Sequence, residues 1–355
     1  MSFESYRARR HFANLDGLRF VSIAMVVWHH GIPLDQGGAQ ILLRGFLGVD
    51  FFFVLSGFLI TTLLLRERSE YGDFSLRDFY LRRVLRIFPV YFFVVGSVSA
   101  YYIFIAGQTE LAWLVPFYAL FLSNFLIDHI PNLYITWSLA VEEQYYLVWP
   151  LVLLLVRTRY LIPVSLFLVG INVAAITGTF GPEPAGNGVY RIWLPNSTYA
   201  PIIMGSLLGL ILHSAQGFRV VEKLLGGRWH AIAGFCLLAI TIQLAPSDLR
   251  GLPNLLIHTI MVGILAALVV REDNAALAIL QNRFIARIGA VSYGIYLYHL
   301  LVLDVVNRIA GRLDLMEQWT ILVLYSVLSY VVAEISMRTL EAYFRRFRPA
   351  PRSAK

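Results

Sequence analysis

The 355 residues hold a single cysteine, Cys236, which lies in an apolar run, so no disulfide framework or thiolate metal site can be built. Charge is scarce too. Asp, Glu, Lys and Arg together make up 14% of the chain, against 58% hydrophobic residues, whereas soluble domains carry about 25% charge. That shortage excludes an ordinary soluble domain. Three catalytic signatures are also missing. The sequence has no HExxH, no GxxxxGK[ST] and no Gly-x-Ser-x-Gly, which leaves zinc hydrolysis, nucleotide hydrolysis and serine-esterase chemistry without support. No internal repeat, heptad seam or low-complexity tract organises the chain.

What is present is a series of apolar runs near the ~20 residues that cross a bilayer, with a mean hydropathy of +0.67. The runs lie at about 15–33, 45–65, 88–106, 137–156, 160–178, 198–213, 229–245, 253–270, 287–307 and 319–338. They predict an all-α polytopic membrane protein of about ten transmembrane helices. A cytoplasmic tail (1–14) precedes one membrane domain (15–342), and a basic tail (343–355) follows it. The first run lacks a small-residue cleavage site and is read as a retained span, despite Arg7, Arg9 and Arg10 before it. The net charge of +7 sits in short blocks between runs, which points to topology and lipid headgroups rather than nucleic acid.

Those blocks set the orientation. Arg66, Arg68, Arg77, Arg82, Arg83 and Arg86 follow the second run, Arg157 and Arg159 the fourth, and Arg345, Arg346, Arg348, Arg352 and Lys355 end the chain. The alternate connections, 179–197 the longest, are poorer in positive charge, so both termini are expected in the cytoplasm. An even number of crossings then requires the apolar segment 111–127 to be re-entrant or interfacial, where it would wall the active site.

The stretch 15–31, LDGLRFVSIAMVVWHHG, carries Asp16, Arg19, His29 and His30 inside an apolar run. Ionisable groups in a span are costly and point to function. On a helix Arg19 and His30 lie within ~20° of one face and ~16 Å apart along the axis, while His29 falls roughly 80° away. Asp50, Glu142 and Glu143 enter from the same outer side, so His30, Asp50 and Glu142 are expected at one depth. There Asp50 would orient His30 as a general base on a hydroxyl. Each also has a bland alternative: a packing hydrogen bond for the histidine, an ion site for the glutamates.

A second group gathers at the other end. Arg82 and Arg86 share a face at i,i+4, Arg83 neighbours Arg86 at i,i+3, and Arg19 can join them. Guanidinium groups suit bidentate phosphate binding, although orientation alone would also place arginines here, and Asp16–Arg19 could be a structural pair. Ser292, Tyr296 and His299 lie along a later run, with packing as their first reading. His213, His230 and His258 read as interfacial. No metal site is expected.

At these motifs the sequence resembles the bacterial membrane acyltransferase-3 family. The resemblance runs through LDGLR (15–19) with the histidine eleven residues on, GFLGVDFFFVLSGFLIT (45–61), RRVLRIFPVY (82–91), FLSNF (121–125), WSLAVEEQYYLVWP (137–150) and SYGIYLYH (292–299). It covers essentially the whole chain in order; Tyr145 stands where the family usually has Phe. The resemblance implies a ten-helix enzyme of the inner membrane that moves an acyl group, acetyl in the first instance, from cytoplasmic acyl-CoA to a hydroxyl of a surface glycan or lipid-linked glycan. Its Arg-x10-His motif maps onto Arg19 and His30, and its arginine motif onto Arg82, Arg83 and Arg86. His30, Asp50 and Glu142 would be catalytic, with Asp16, Glu143, Tyr146 and His299 in support. Acetyl-CoA would be a cosubstrate, with no resident cofactor, and a step needing the esterase-like domain of some relatives would fall to a separate protein. A transporter or flippase with a His/Asp/Glu ion relay is the rival reading, and a small-molecule acceptor the variant one.

Overall fold

The computed structural model describes residues 2–9, 11–32, 39–179, 199–313 and 317–349. The connection 179–197 lies outside these from residue 180 on, as do Arg10, Arg352 and Lys355. Among the described residues the chain is all helix and turn, without strand. The principal helices are α1 (Asn14–Gly31), α2 (Leu47–Tyr71), α3 (Leu76–Ala100), α4 (Trp137–Leu155), α5 (Thr158–Ile176), α6 (Ala200–Leu212), α7 (Ala215–Leu225), α8 (His230–Leu244), α9 (Leu252–Val270), α10 (Arg283–Ala290), α11 (Ser292–Arg312) and α12 (Gln318–Arg338).

Five helices are long and apolar enough to cross a membrane: Leu47–Tyr71, Leu76–Ile105, Thr158–Ile176, Leu252–Val270 and Gln318–Arg345. Counting each bent pair as one span raises this to seven, with α6 and α7 meeting at 111° and α10 and α11 at 73°. The first bend has a local cause. Ser214 caps α7 by accepting from the Gly217 amide, and α7 is amphipathic, burying Phe218 while Arg219, Glu222 and Lys223 lie on its polar side. Neither α1 nor α4 is among the five. They are the helices loaded with Asp16, Arg19, His29 and His30, and with Glu142, Glu143 and Gln144.

Two apolar clusters form the core, and both draw on α1 and α2. One joins them to α3, α4, α11 and α12, the other to α6, α8 and α9. The charged first helix is thus wedged between two cores. Small residues permit the tight crossings: a Cβ on Gly57 would strike the carbonyl of Ile202, and one on Gly205 the carbonyl of Val54, so α2 and α6 touch backbone to backbone. Gly289 of α10 lies in the same way on the Asp16 carbonyl.

Segment 111–127 forms no long helix. It is built from short pieces, Thr109–Leu114, Val115–Ala119 and Ser123–Phe125, with Phe121 at φ 54°. Side chains from regular helices satisfy its irregular backbone: Gln144 donates to the Phe121 carbonyl at 2.8 Å and Tyr91 to that of Tyr118 at 2.8 Å. In turn the Tyr118 hydroxyl accepts from the Ile130 amide. This is the compensation that irregular backbone inside a bundle requires.

Candidate active site

A cavity of about 280 Å³ lies between α1, α2, α3, α4 and α11. Arg19, Arg83 and Arg86 supply its cationic wall, Glu142 and Tyr146 face them, and Ser138 and Tyr296 also line it. Arg19 is tied to Asp16 at 2.6 Å, and Asp16 in turn to His11 at 3.4 Å. Arg83 spreads its guanidinium over the Tyr146 ring at 4.6 Å. Arg86 sits inside the bundle yet is exposed, because the cavity reaches it. Neither Arg83 nor Arg86 has a carboxylate or hydrogen-bond partner among the described residues. Two unpaired guanidinium groups in one concave site make an anion receptor.

Arg82 does not belong to this group. Its guanidinium pairs with Glu67 at 3.3 Å and does not line the cavity. The i,i+4 face expected from spacing is replaced by the i,i+3 pair Arg83 and Arg86, because packing of the Phe79, Ile87 and Val90 side of α3 into the core sets its rotation.

Glu142 is placed with the arginines rather than at the depth of His30. Its Oε1 accepts from the Ser56 hydroxyl at 2.7 Å, and it shares the cavity lining with Arg83 and Arg86, charges of opposite sign. The reason lies in the approach to α4. Ile130, Leu133, Ile135 and Thr136 are already buried before α4 begins, Ile130 and Thr136 at 0% exposure, so the helix starts against the core and Glu142 lies more than a turn further along it. Glu143 lies beside Arg83 but off the cavity lining. Segment 111–127, expected to wall the site, contributes no residue to this cavity among those described.

Asp50 does not orient His30. Its Oδ2 meets Nε2 of His258 at 3.1 Å, and the pair is nearly sealed from solvent. Successive side chains on α2 turn by ~100°, so while Val49, Phe52 and Phe53 face the cavity, Asp50 points to α9. His258, read from sequence as interfacial, is therefore a buried partner. No spacing signal could have found it, because 208 residues separate the two.

His30 takes its orientation from its own helix. Nδ1 lies 2.9 Å from the Val26 carbonyl. A carbonyl only accepts, so Nδ1 carries the proton and Nε2 holds a lone pair, as a base or nucleophile requires. His29 is engaged elsewhere, with Nδ1 3.1 Å from the Leu43 carbonyl, where it steadies the turn leading into α2. The rings of His29 and His299 each lie 5.0 Å from that of His30.

Tyr296 connects the two ends. Tyr296 lines the cavity and its hydroxyl is 2.7 Å from that of Ser138, while its ring lies 5.6 Å from that of His299. Ring contacts thus lead from the arginine cavity through Tyr296 and His299 to His30. Tyr145 also finds a use for its hydroxyl, in a contact with Ser206 that ties α4 to α6.

Comparison with known proteins bears on this geometry. A family model described as an acyltransferase domain matches residues 12–337. YrhL of Bacillus subtilis is 28% identical over 363 residues, covering 95% of this chain and 55% of that protein. The peptidoglycan O-acetyltransferase OatA of Listeria monocytogenes is 25% identical over 370 residues, covering 96% of this chain and 56% of that one. The O-acetyltransferase OatA of Staphylococcus aureus is 26% identical, with 97% and 58% covered. The chain spans a little over half the length of these relatives. No solved structure matches. The family match takes in the helix from Asp16 to His30, the arginines of α3 and Glu142 together, and by it the chain belongs to the acyltransferase-3 family.

Proposed function

We propose that this chain is a multi-pass membrane O-acetyltransferase that carries an acetyl group from acetyl-CoA to a hydroxyl of a cell-envelope glycan. The observation that carries the reading is the pair of unpaired guanidinium groups, Arg83 and Arg86, in a cavity beside the foot of the helix whose other end presents His30. The relatives' names support an acetyl group and a glycan of the peptidoglycan class.

In this mechanism the phosphates of the donor rest on Arg83, Arg86 and Arg19, with charge-assisted hydrogen bonds of about 1.5–3 kcal/mol each. Glu142, held by Ser56, faces the two unpaired guanidinium groups across the cavity. The pantetheine arm extends past Tyr296 along α1, and the ~16 Å from Arg19 to His30 is of that scale. At the far end Nε2 of His30 removes the hydroxyl proton as the oxygen attacks the thioester carbonyl. The same proton then passes to the departing thiolate, so the histidine is regenerated.

In the membrane, α1, α4 and α8 add to the seven spans described above and make ten, with Arg19 toward the cytoplasm, His30 toward the outer face and both termini inside. The excess of Arg at the Arg19 end supports this orientation. The enclosing bilayer is the cytoplasmic membrane, where acetyl-CoA and envelope glycan are available on opposite sides.

The test is transfer of label from acetyl-CoA to cell-envelope glycan by membranes holding the wild-type chain or His30→Ala. The wild type should label the glycan and the variant should not; equal labelling would overturn the reading. His29→Ala should retain most of the activity, and a silent His29→Ala beside an active His30→Ala would reverse the assignment of the two histidines.

A further inference from the structure

His299, on the second turn of α11, has no exposed surface. Its Nδ1 lies 2.6 Å from the Tyr296 carbonyl, so Nδ1 carries the proton and Nε2 keeps a lone pair. That Nε2 is buried and has no hydrogen-bond partner. An orphaned buried acceptor is destabilising, a cost that an apolar ring of the same size would avoid.

The ring of His299 packs edge-on against that of His30 with centroids 5.0 Å apart, so the two imidazoles are in direct contact. In the resting state both Nε2 atoms hold lone pairs and neither can donate to the other. Once His30 takes a proton on Nε2, a donor arises beside an acceptor that has no other partner. The surroundings offer no alternative. The other groups facing the pair are His29, Tyr134, Tyr296 and Tyr325, and no carboxylate or guanidinium touches either ring among the described residues. An imidazolium without a counter-ion is strongly disfavoured in a low-dielectric interior.

We propose that His299 is a positioning residue for the transfer step, its unpartnered Nε2 accepting a hydrogen bond from Nε2–H of protonated His30. This rests on the acetyl-transfer reading and deepens it. The acceptor O–H bond breaks and its proton goes to Nε2 of His30, while the new oxygen–carbonyl bond forms. The carbon–sulfur bond breaks with its electron pair on sulfur, and the proton leaves His30 for the thiolate. His299 stays neutral throughout and steadies His30 only while His30 is charged.

The test uses the full chain in proteoliposomes with labelled acetyl-CoA and an N-acetylglucosamine pentamer as probe acceptor. His299→Phe keeps a ring and loses the acceptor; His299→Gln keeps an acceptor oxygen. The phenylalanine variant should lower kcat about 100-fold while KM for acetyl-CoA and the thermal midpoint stay near wild type, and the glutamine variant should recover at least about a tenth of the wild-type rate. A phenylalanine variant with wild-type kcat overturns the proposal. A readout independent of turnover comes from 15N-histidine NMR of the full chain at acid pH. A coupling between the Nε2 atoms of His30 and His299, lost in His299→Phe, supports the bond, and its absence from the wild type overturns it. If the wild type and His30→Ala release CoA thiol equally, the acetyl-transfer reading fails, and the NMR coupling still decides the histidine pair.

Discussion

Asp50 and His258 meet at 3.1 Å across 208 residues of sequence, with side chains only 9% and 1% exposed. The contact pins α2 to α9 and has no share in the arginine cavity. Removing one member leaves the other buried without its partner, at a cost of about 1–3 kcal/mol for a neutral group and about 3–5 kcal/mol for a charged one. Asp50→Ala should therefore lower the unfolding midpoint in detergent, and Asp50→Asn, which keeps an acceptor oxygen, should lower it less. The fraction that remains folded should still transfer. An Asp50→Asn protein with an unchanged midpoint and no activity would return Asp50 to the chemistry.

The arginines divide by their partners. Arg83→Ala and Arg86→Ala should each raise KM for acetyl-CoA by about tenfold or more, since each removes a charge-assisted contact worth about 1.5–3 kcal/mol. Arg82→Ala breaks only the part-exposed pair with Glu67; such pairs contribute less than about 1 kcal/mol, so KM should stay within about twofold. A series of KM measurements across the three variants checks this, and a dominant effect at Arg82 would mean that the cavity is not the donor site.

Glu142 has a specific support in Ser56. Ser56→Ala should weaken donor binding modestly, by about 1 kcal/mol or roughly fivefold. Glu142→Ala should weaken it further, and the double variant should match Glu142→Ala, because the serine acts through the carboxylate. Full additivity in that cycle would separate the two residues.

The glycines give a stability contrast. A methyl group at Gly57 or Gly205 meets a backbone carbonyl, whereas Gly96 of α3 has nothing within 4 Å of the new carbon. Gly57→Ala and Gly205→Ala should destabilise by about 1–3 kcal/mol through overpacking, while Gly96→Ala should be neutral or stabilising by about 0.5–1 kcal/mol through helix propensity. Thermal midpoints of the three variants decide it, and equal midpoints would mean that the α2–α6 crossing is looser than described.

How legible the site was depended on the range of the interaction. Arg19 and His30 share one helix, and fixed helical geometry put them on one face and marked out His30 rather than His29. Within α3 the same geometry named three arginines but could not choose between them, because the helix rotation is set by which side the neighbours bury. Asp50 was recognisable as costly in an apolar run, but its partner on α9 was not, and the nearer histidine was the natural expectation. Glu142 was assigned to the outer end because α4 was assumed to begin at the membrane surface. Ile130, Leu133, Ile135 and Thr136 are buried ahead of it and set its start against the core.

By itself, then, the sequence determined the all-α membrane character, the helix that links Arg19 to His30, and the family. Each follows from composition, a fixed 3.6-residue period or motifs close together in the chain. Tertiary structure alone decided the pairings: Asp50 with His258, Glu142 with Ser56, Arg82 with Glu67, and His30 with His299. Helix rotation and the depth at which a helix starts arise from packing over long sequence separations, and no local pattern encodes them.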